Sequence, residues 1–155
     1  MIPQVVDAVR IPVLAAGGVV DARGYAACRI LGAEGVSVGT AFLATVECTK
    51  IGSVWREQIL SGRDVSTKIL ARGIAPVRML ANQWTEELEK LVSAGVTRKE
   101  IMKFIFSGDP MSSEDGPFAC GQGVGLIRRI RNVKEVMEDF VIGSEELLTR
   151  MAASD

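Results

Sequence analysis

The sequence predicts an α/β fold, and three consecutive patterns near its start support that prediction. Residues Ile11–Ala16 (IPVLAA) form a short apolar run that ends at Gly17-Gly18, as a strand buried on both faces ends in a loop. A helix pattern follows over residues 22–31, and a second short strand follows over Gly35–Val38. Strand, helix and strand within about 30 residues form a βαβ unit, in which the two strands lie parallel.

The helix between the two strands has residues at both ends that typically start and stop helices. Asp21 precedes it as a candidate N-cap, since its carboxylate can accept hydrogen bonds from the first free backbone N–H groups. Gly32 follows it and favours the conformation in which many helices end. Apolar positions from Tyr25 to Leu31 predict a face that packs across the strands. A shorter pattern, Pro3–Val9, predicts the end of a preceding helix.

The rest of the chain is predicted to be helical, with one long loop. Pro76 fits the first turn of a helix, and Thr97 and Glu100 have the spacing of a capping box. The segment Ser107–Gly125 is rich in glycine, serine and proline and predicts a loop, and loops of that length are usually functional or disordered. The helix patterns after the second strand are Glu47–Leu60, Pro76–Ala94, Thr97–Phe106, Val133–Phe140 and Ser144–Met151.

The length of the chain is that of one domain, and its charge balance does not suggest a strongly charged partner. The chain has 155 residues, with 18 Lys and Arg against 19 Asp and Glu, which argues against nucleic acid or an anionic membrane as the main partner. No apolar run approaches the roughly 18 residues needed to span a bilayer. No basic segment precedes the first apolar residues, as it would in a targeting signal. We therefore expect a cytoplasmic protein.

The residue types that are scarce or missing limit the chemistry. Cys28, Cys48 and Cys120 are too few and too scattered for a disulfide framework or a zinc site, and we interpret them as reduced thiols. The sequence contains 0 His, although histidine is the side chain most often used as a general base near neutral pH and the commonest metal ligand. The sequence therefore predicts no metal site, and any mechanism for this chain alone must do without histidine.

Two glycine-containing turns, Gly17-Gly18 and Gly39-Thr40, follow the two predicted strands one repeat apart. In (β/α)8 barrels the loops after the last two strands commonly bind phosphate. Glycine lets the backbone approach phosphate oxygens, helix N-terminal amides can donate to the anion, and the Thr40 hydroxyl can add a further bond. The same residues also fit plain tight turns with Thr40 as an N-cap, and the residues alone leave both interpretations open.

Three segments of the chain resemble the nitronate monooxygenase (2-nitropropane dioxygenase) family. Ile11–Ala44 (IPVLAAGGVVDARGYAACRILGAEGVSVGTAFLA) is similar to the family's AAGG turn, following helix, LGADGV stretch and MGT turn. Ala119–Ile127 (ACGQGVGLI) is similar to its AGQGVGLI element, and Pro76–Asn82 (PVRMLAN) to its PARVLRN-type segment. The two turns alone would also fit the related flavin-dependent enoyl reductases. The GQGVG element makes the resemblance more specific.

The resemblance implies that the chain is the C-terminal portion of a TIM (β/α)8 barrel, followed by C-terminal helices. Because a full barrel takes about 250 residues, we expect the barrel to be incomplete here. Residues 1–155 would form a single partial domain. Within it, residues 1–62 would supply the last βα units with their phosphate-binding turns, and residues 63–155 a helical and loop region.

The resemblance also implies FMN as the cofactor. Gln122 would reach a flavin or substrate edge with its amide, or alternatively would only pin its own loop through a hydrogen bond. Ala41 stands where the family often has Arg, so that one cationic contact to the phosphate is missing. The residues expected at FMN are Gly17, Gly18, Ser37, Val38, Gly39, Thr40 and Gln122.

By resemblance, the complete protein would be an oxidoreductase that oxidises nitronates, or related small carbon acids, with dioxygen. The family's flavin-ring contacts and catalytic histidine belong to earlier parts of the barrel, so we assign no catalytic residue here and expect the chain to be incomplete for catalysis. The alternative is a non-catalytic truncated α/β module, or a partner that completes a barrel with another chain. Open strand edges predict self-association, or association with a missing barrel half.

Overall fold

The computed structural model describes residues 1–109, 111 and 114–153. Its helices are α1 (Ile2–Ala8), α2 (Ala22–Ile30), α3 (Thr40–Leu43), α4 (Ser53–Leu60), α5 (Gln83–Ser93), α6 (Arg98–Ser107), α7 (Val133–Glu138) and α8 (Ser144–Ala152). Its strands are β1 (Leu14–Ala16), β2 (Gly35–Ser37), β3 (Thr67–Leu70) and β4 (Val77–Leu80). A 3₁₀ turn covers Gln122–Leu126, and a π-helical turn, Asp139–Gly143, joins α7 to α8.

The two N-terminal strands pair in parallel, as the sequence predicts. Leu14 lies opposite Gly35, and Ala16 lies opposite Ser37. The connecting helix α2 packs against β2, and apolar side chains of β1 and α2 share one core. This βαβ unit confirms the predicted α/β fold.

Helix α2 begins and ends where the sequence predicts. The Asp21 carboxylate accepts hydrogen bonds from the Arg23 N–H at 3.1 Å and the Gly24 N–H at 3.2 Å. These are two of the N–H groups that the start of a helix leaves without an internal partner. Gly32 has a φ of +93°, the left-handed conformation that ends many helices. Local interactions therefore fix both ends of the connection between the strands.

The burial of β1 differs from the prediction that both of its faces are covered. Ala15 is 6% exposed, but Leu14 is 63% exposed and Ala16 is also exposed. Within the described part of the chain, β1 pairs with β2 alone. A two-stranded sheet of this size is covered by α2 and the core on one side, so the Leu14 side chain on the other side stays exposed.

Strand β4 of a second sheet lies at the start of the predicted helix Pro76–Ala94, and that part of the prediction is wrong. Strands β3 and β4 form an antiparallel hairpin, and α5 begins only after Asn82. The Asn82 Oδ1 accepts a hydrogen bond from the Thr85 N–H at 2.9 Å and so caps the helix. Proline is tolerated before a strand as well as in a first helical turn, and four apolar-rich residues fit either element. The region 63–155 therefore contains a sheet besides its helices and loops.

The other helices exist as predicted, with some different bounds. Helix α4 begins at Ser53 rather than at Glu47, because the segment before it forms turns. Helix α6 has the predicted capping box, in which the Glu100 N–H donates to Thr97 Oγ1 at 3.3 Å and the Thr97 N–H donates to Glu100 Oε2 at 2.8 Å. The predicted loop Ser107–Gly125 includes positions 110, 112 and 113, which lie outside the described residues.

The buried apolar side chains form two clusters. The first joins the βαβ unit to α4 and to the C-terminal segment, and it contains Trp55 stacked on Phe118 with 5.0 Å between ring centroids. The second lies between the β3–β4 hairpin, α5 and α6, and it contains Trp84 stacked on Phe104 at 4.6 Å. Helix α8 packs against α2, so the chain returns to the unit that carries the glycine turns.

Candidate functional site

The turn after β1 consists of two glycines whose backbone conformation disfavours any other residue. Gly17 has a φ of +104° and Gly18 a φ of +76°, in the left-handed region that side chains rarely adopt. A Cβ atom built on either glycine would meet nothing within 4 Å in the described structure. Conformation rather than packing therefore requires glycine here, and the space beside the turn is open to a ligand.

The turn after β2 contains a glycine that neither conformation nor packing explains. Gly39 has a φ of −112°, which other residues adopt readily. A Cβ atom built on it would also meet nothing within 4 Å. Gly39 is exposed and leads directly into α3, which begins at Thr40. Because neither conformation nor packing within the protein requires glycine at position 39, its small size fits the close approach of a ligand to the backbone.

The GQGVG element, residues 121–125, connects the two turns. The Gly121 N–H donates a hydrogen bond to Thr40 Oγ1 at 2.9 Å. Two residues later, a Cβ atom on Gly123 would lie 2.9 Å from the Gly18 carbonyl oxygen and 2.6 Å from a side-chain carbon of Val20. Close packing therefore requires glycine at position 123. The element holds the Gly17-Gly18 turn and the Gly39-Thr40 turn next to one loop.

The same element also contacts the chain that leaves α4. A Cβ atom on Gly125 would lie 2.7 Å from the backbone nitrogen of Asp64, and one on Gly62 would lie 2.6 Å from a side-chain carbon of Val124. The glycines of this element are thus required at two separate packing contacts. The sequence predicts only that this stretch is a loop, whereas the structure assigns each packed glycine a neighbour.

A cleft of about 670 Å³ opens between these segments. It contains two of the residues expected at FMN, Gly18 and Gln122, and two cationic side chains that are not among them. The lining residues are Gly18, Arg63, Asp64, Gln122, Gly123, Gly125, Leu126 and Arg128.

Gln122 is an exposed residue that lines this cleft. Among the described residues, its side-chain amide forms no hydrogen bond that would pin the loop. The loop is held instead by the Gly121 N–H and by the packing of Gly123. Of the two interpretations of Gln122, the structure therefore favours an amide that is available to a ligand.

Thr40 has an internal role that the sequence does not reveal. Its hydroxyl oxygen accepts the hydrogen bond from the Gly121 N–H. Burial raises the pKa of Cys120 to about 11, against the smaller lowering effects of Thr40 and Gly121. Cys120 is therefore a neutral thiol near pH 7, and the Thr40 side chain holds the loop in place as well as bordering the turn.

Ser37 and Val38, two of the expected site residues, are not among the residues that line the cleft. Ser37 is exposed at the end of β2. The Val38 side chain packs against the main core and lines a separate apolar groove with Phe42 and Phe140. The structure thus brings Gly18 and Gln122 together in one cleft, whereas the Val38 side chain lies outside it and only its backbone remains for a ligand.

The N-terminus of α2 is satisfied internally, contrary to the expectation that helix amides would donate to an anion. The Asp21 carboxylate accepts hydrogen bonds from the Arg23 and Gly24 amides. Burial acts to raise the pKa of Asp21, but hydrogen bonds from Arg23 and Gly24 outweigh it and the pKa is lowered. A negative charge already occupies this helix start, so an anion at the turn must bind the glycine backbone and nearby cations.

The cations of the cleft, Arg63 and Arg128, are not among the residues expected at FMN. Arg128 lies three positions after the GQGVG element, whereas Arg63 lies 65 positions before Arg128, with no sequence pattern connecting the two. Ala41, where the resemblance implies a cation, is 2% exposed and packed in the core. Open glycine backbone and two arginines beside it fit an anionic group such as a phosphate.

Other kinds of site find no support in the described ranges of the chain. No group of three or more His, Cys, Asp and Glu side chains there is arranged to hold a metal ion. None of the helices in those ranges has the length and apolar character needed to cross a membrane.

Comparison with known proteins identifies the family. The family model described as nitronate monooxygenase matches residues 1–143. A probable nitronate monooxygenase of Staphylococcus aureus (strain Newman) is 41% identical over 97 residues, which are 58% of this chain and 25% of that protein. FabK from Thermotoga maritima has a similar structure, with a TM-score of 0.85 and 28% identity over 99% of this chain and 50% of its own. A nitroalkane oxidase from Streptomyces ansochromogenes has a TM-score of 0.68 and 25% identity over 97% of this chain and 44% of its own.

The matches therefore span at most half of each of these proteins. The family model nevertheless covers this chain from α1 to the π-helical turn, and the two solved structures cover 99% and 97% of it. The chain belongs to the nitronate monooxygenase family.

Proposed function

We propose that this chain is the FMN-binding part of an oxidoreductase that oxidises nitronates with dioxygen, and that it forms the C-terminal portion of a (β/α)8 barrel. One observation carries the proposal. The GQGVG element contacts two glycine turns, each at the carboxyl end of one of two paired parallel strands, and Gly18 of the first turn lines a cleft with that element. This is the edge of a barrel at which phosphate commonly binds.

The phosphate of FMN would bind the backbone of the two turns. Gly17 and Gly18 offer an open backbone after β1, and Gly39 and Thr40 offer one after β2, next to the backbone of Ser37 and Val38. Backbone N–H groups that face an anion form charge-assisted hydrogen bonds, which are stronger than neutral ones. Gln122 would donate its amide to a flavin or substrate edge. These residues bind and orient the cofactor.

Bound FMN would supply the redox chemistry, accepting electrons from the substrate and passing them to dioxygen. This chain contributes 0 His, and a catalytic base would come from another part of the complete protein. The substrate would be a nitronate or a related small carbon acid, in keeping with the family to which the chain belongs.

A second candidate function is that of a partner that completes a barrel with another polypeptide segment. The exposed Leu14 side chain favours it, because an apolar residue on an uncovered strand face is normally buried by a neighbouring layer. Both candidates use the same cleft. We also propose a cytoplasmic location, and the three free cysteines Cys28, Cys48 and Cys120 support it.

The test is flavin binding by the chain alone and by the chain mixed with a separately produced N-terminal barrel half of a family member. FMN is titrated while its fluorescence is recorded, and nitronate-dependent oxygen consumption is then measured. We expect FMN binding that strengthens in the mixture, and oxygen consumption only in the mixture. Binding without oxygen consumption would favour the non-catalytic candidate. Absence of FMN binding in both samples would contradict the proposal.

A further inference from the structure

The two glycine turns, residues 17–20 and 39–42, contain no cationic side chain. Ala41 is 2% exposed and belongs to the main core. A phosphate carries about two negative charges at neutral pH, and backbone amides alone leave most of that charge without a counter-ion. A cation from elsewhere in the fold would resolve this imbalance.

Two arginines border the cleft that contains Gly18 and Gln122. They approach from opposite segments, Arg63 from the chain that leaves α4 and Arg128 from the chain that follows the 3₁₀ turn. The Arg128 Nη1 atom lies 3.4 Å from the Gly62 carbonyl oxygen. The Arg128 guanidinium group is thus next to the residue that precedes Arg63. It therefore lies beside the backbone of the segment that contains Arg63.

Neither arginine has its charge neutralised by an ion pair within the described ranges. The ion pairs found there involve Arg23, Lys68, Arg129, Arg131 and Lys134. Asp64 also lines the cleft. The side chains that line the cleft therefore include two guanidinium groups and one carboxylate, which gives the cleft a net positive charge. The 3.4 Å contacts of Arg128 with backbone oxygens are long and leave most of its N–H groups free for a ligand.

The walls of the cleft are fixed by close packing. Gly123 contacts the Gly18 carbonyl, and Gly125 contacts the backbone of Arg63 and Asp64. The spacing between the Gly18 turn and the two arginines is therefore set by backbone contacts, with little freedom for the cleft to collapse. A charged group bound at the Gly18 turn would face a cleft that both arginines line.

We propose that Arg63 and Arg128 together supply the positive charge for the phosphate of the bound flavin, since the glycine turns themselves contain no cation. This proposal rests on the proposed function, because it takes FMN as the ligand of the cleft. Arginine suits the role because its planar group binds phosphate oxygens with two hydrogen bonds.

The experiment compares FMN with riboflavin, which has the same ring and lacks the phosphate. The variants are Arg63→Gln, Arg128→Gln and the double variant, with Arg98→Gln on the exposed start of α6 as the control for the loss of one positive charge. We expect each cleft substitution to lower FMN affinity about tenfold and the double variant to lower it more. Riboflavin affinity should stay unchanged in all variants, and FMN affinity should stay unchanged in Arg98→Gln.

Two outcomes would overturn the proposal. Equal FMN affinity of wild type and double variant, both folded by circular dichroism, would mean that the arginines do not bind the phosphate. Equal loss of FMN and riboflavin affinity would mean that they support the fold or the ring instead.

Failure of the proposed function gives a different result, because the wild-type chain would then bind neither flavin. Inorganic phosphate, followed by ³¹P NMR, keeps the arginines testable in that case. Phosphate binding that disappears in the double variant would support an anion site formed by Arg63 and Arg128. Equal phosphate signals with wild type and double variant would overturn it.

Discussion

Thr40 Oγ1 accepts a hydrogen bond from the Gly121 N–H at 2.9 Å, across 81 positions of the chain. This bond joins the turn after β2 to the GQGVG element, and the packing of Gly123 on Gly18 joins the same element to the turn after β1. The geometry of the candidate site therefore depends on the loop as much as on the strands.

The hydrogen bond between Thr40 and Gly121 can be removed with little change in shape. Thr40→Val keeps the branched side chain but leaves the Gly121 N–H without its acceptor, which should lower the free energy of unfolding by about 1–3 kcal/mol. Thr40→Ser keeps the hydroxyl and should lose less. Urea unfolding measures both, and amide hydrogen exchange at Gly121 should accelerate only in Thr40→Val. Equal exchange in the two variants would contradict this role for Thr40.

Gly39→Ala is the sharpest test of ligand approach to the backbone. The φ of −112° suits alanine and its Cβ would meet nothing within 4 Å, so stability should change by less than about 0.5 kcal/mol. FMN affinity in the completed barrel should fall at least roughly tenfold, because the methyl group would occupy the space of the phosphate. Fluorescence titration with FMN at fixed salt measures it, and unchanged affinity would mean that this turn is only a turn.

Gly18→Val is a less informative variant, although it would block the same approach. Its φ of +76° makes any side chain there strained, at a cost of about 1–2 kcal/mol before a ligand is considered. A fall in FMN affinity would then mix backbone strain with steric exclusion. Gly123→Ala provides the opposite comparison, since its Cβ would clash with Gly18 and should destabilise the fold with or without flavin.

Stability should decrease at alkaline pH because of Cys120. Its pKa is raised from 9.0 to about 11 by burial, so above pH 9 the unfolded chain loses the thiol proton while the folded chain retains it. Fewer protons on the unfolded state mean that the free energy of unfolding falls as pH rises from about 9 to 11, by about 2–3 kcal/mol in total. Cys120→Ala should flatten this slope in urea unfolding curves, and Cys48→Ala should not. Identical slopes in wild type and Cys120→Ala would exclude this cause.

The isolated chain should self-associate through the uncovered face of β1. Leu14 is 63% exposed, and burying such a side chain stabilises an interface by about 1.5–3 kcal/mol. Leu14→Ser should therefore weaken association in sedimentation velocity, whereas Val65→Ser, at a side chain 78% exposed in the loop before β3, should not. A wild-type chain that stays monomeric at all concentrations tested would show that the exposed face of β1 does not drive self-association.

The parts predicted correctly from sequence are those that local interactions fix. Asp21 and Gly32 mark the ends of α2 through hydrogen bonds and conformation within a few residues. The β3–β4 hairpin was missed because Pro76 and four apolar-rich residues suit a helix start as well as a strand, and only pairing with β3 decides between them. Arg63 was missed because its distance from Arg128 depends on how the loops pack, which no spacing in the sequence records.

The excursion from Arg63 to Cys120 starts and ends beside the same cleft. The excursion forms a unit with an apolar cluster of its own, and its attachment to the rest of the chain includes the contact of Gly125 with Asp64 and the stacking of Phe118 on Trp55. A ligand that fills the cleft touches both units, so binding and attachment are thermodynamically linked. Ligand binding in the cleft should then raise the free energy needed to detach this unit. Shortening the hairpin or its helices should disturb the site less than changing the two segments, at Arg63 and at Cys120, where the chain enters and leaves the unit.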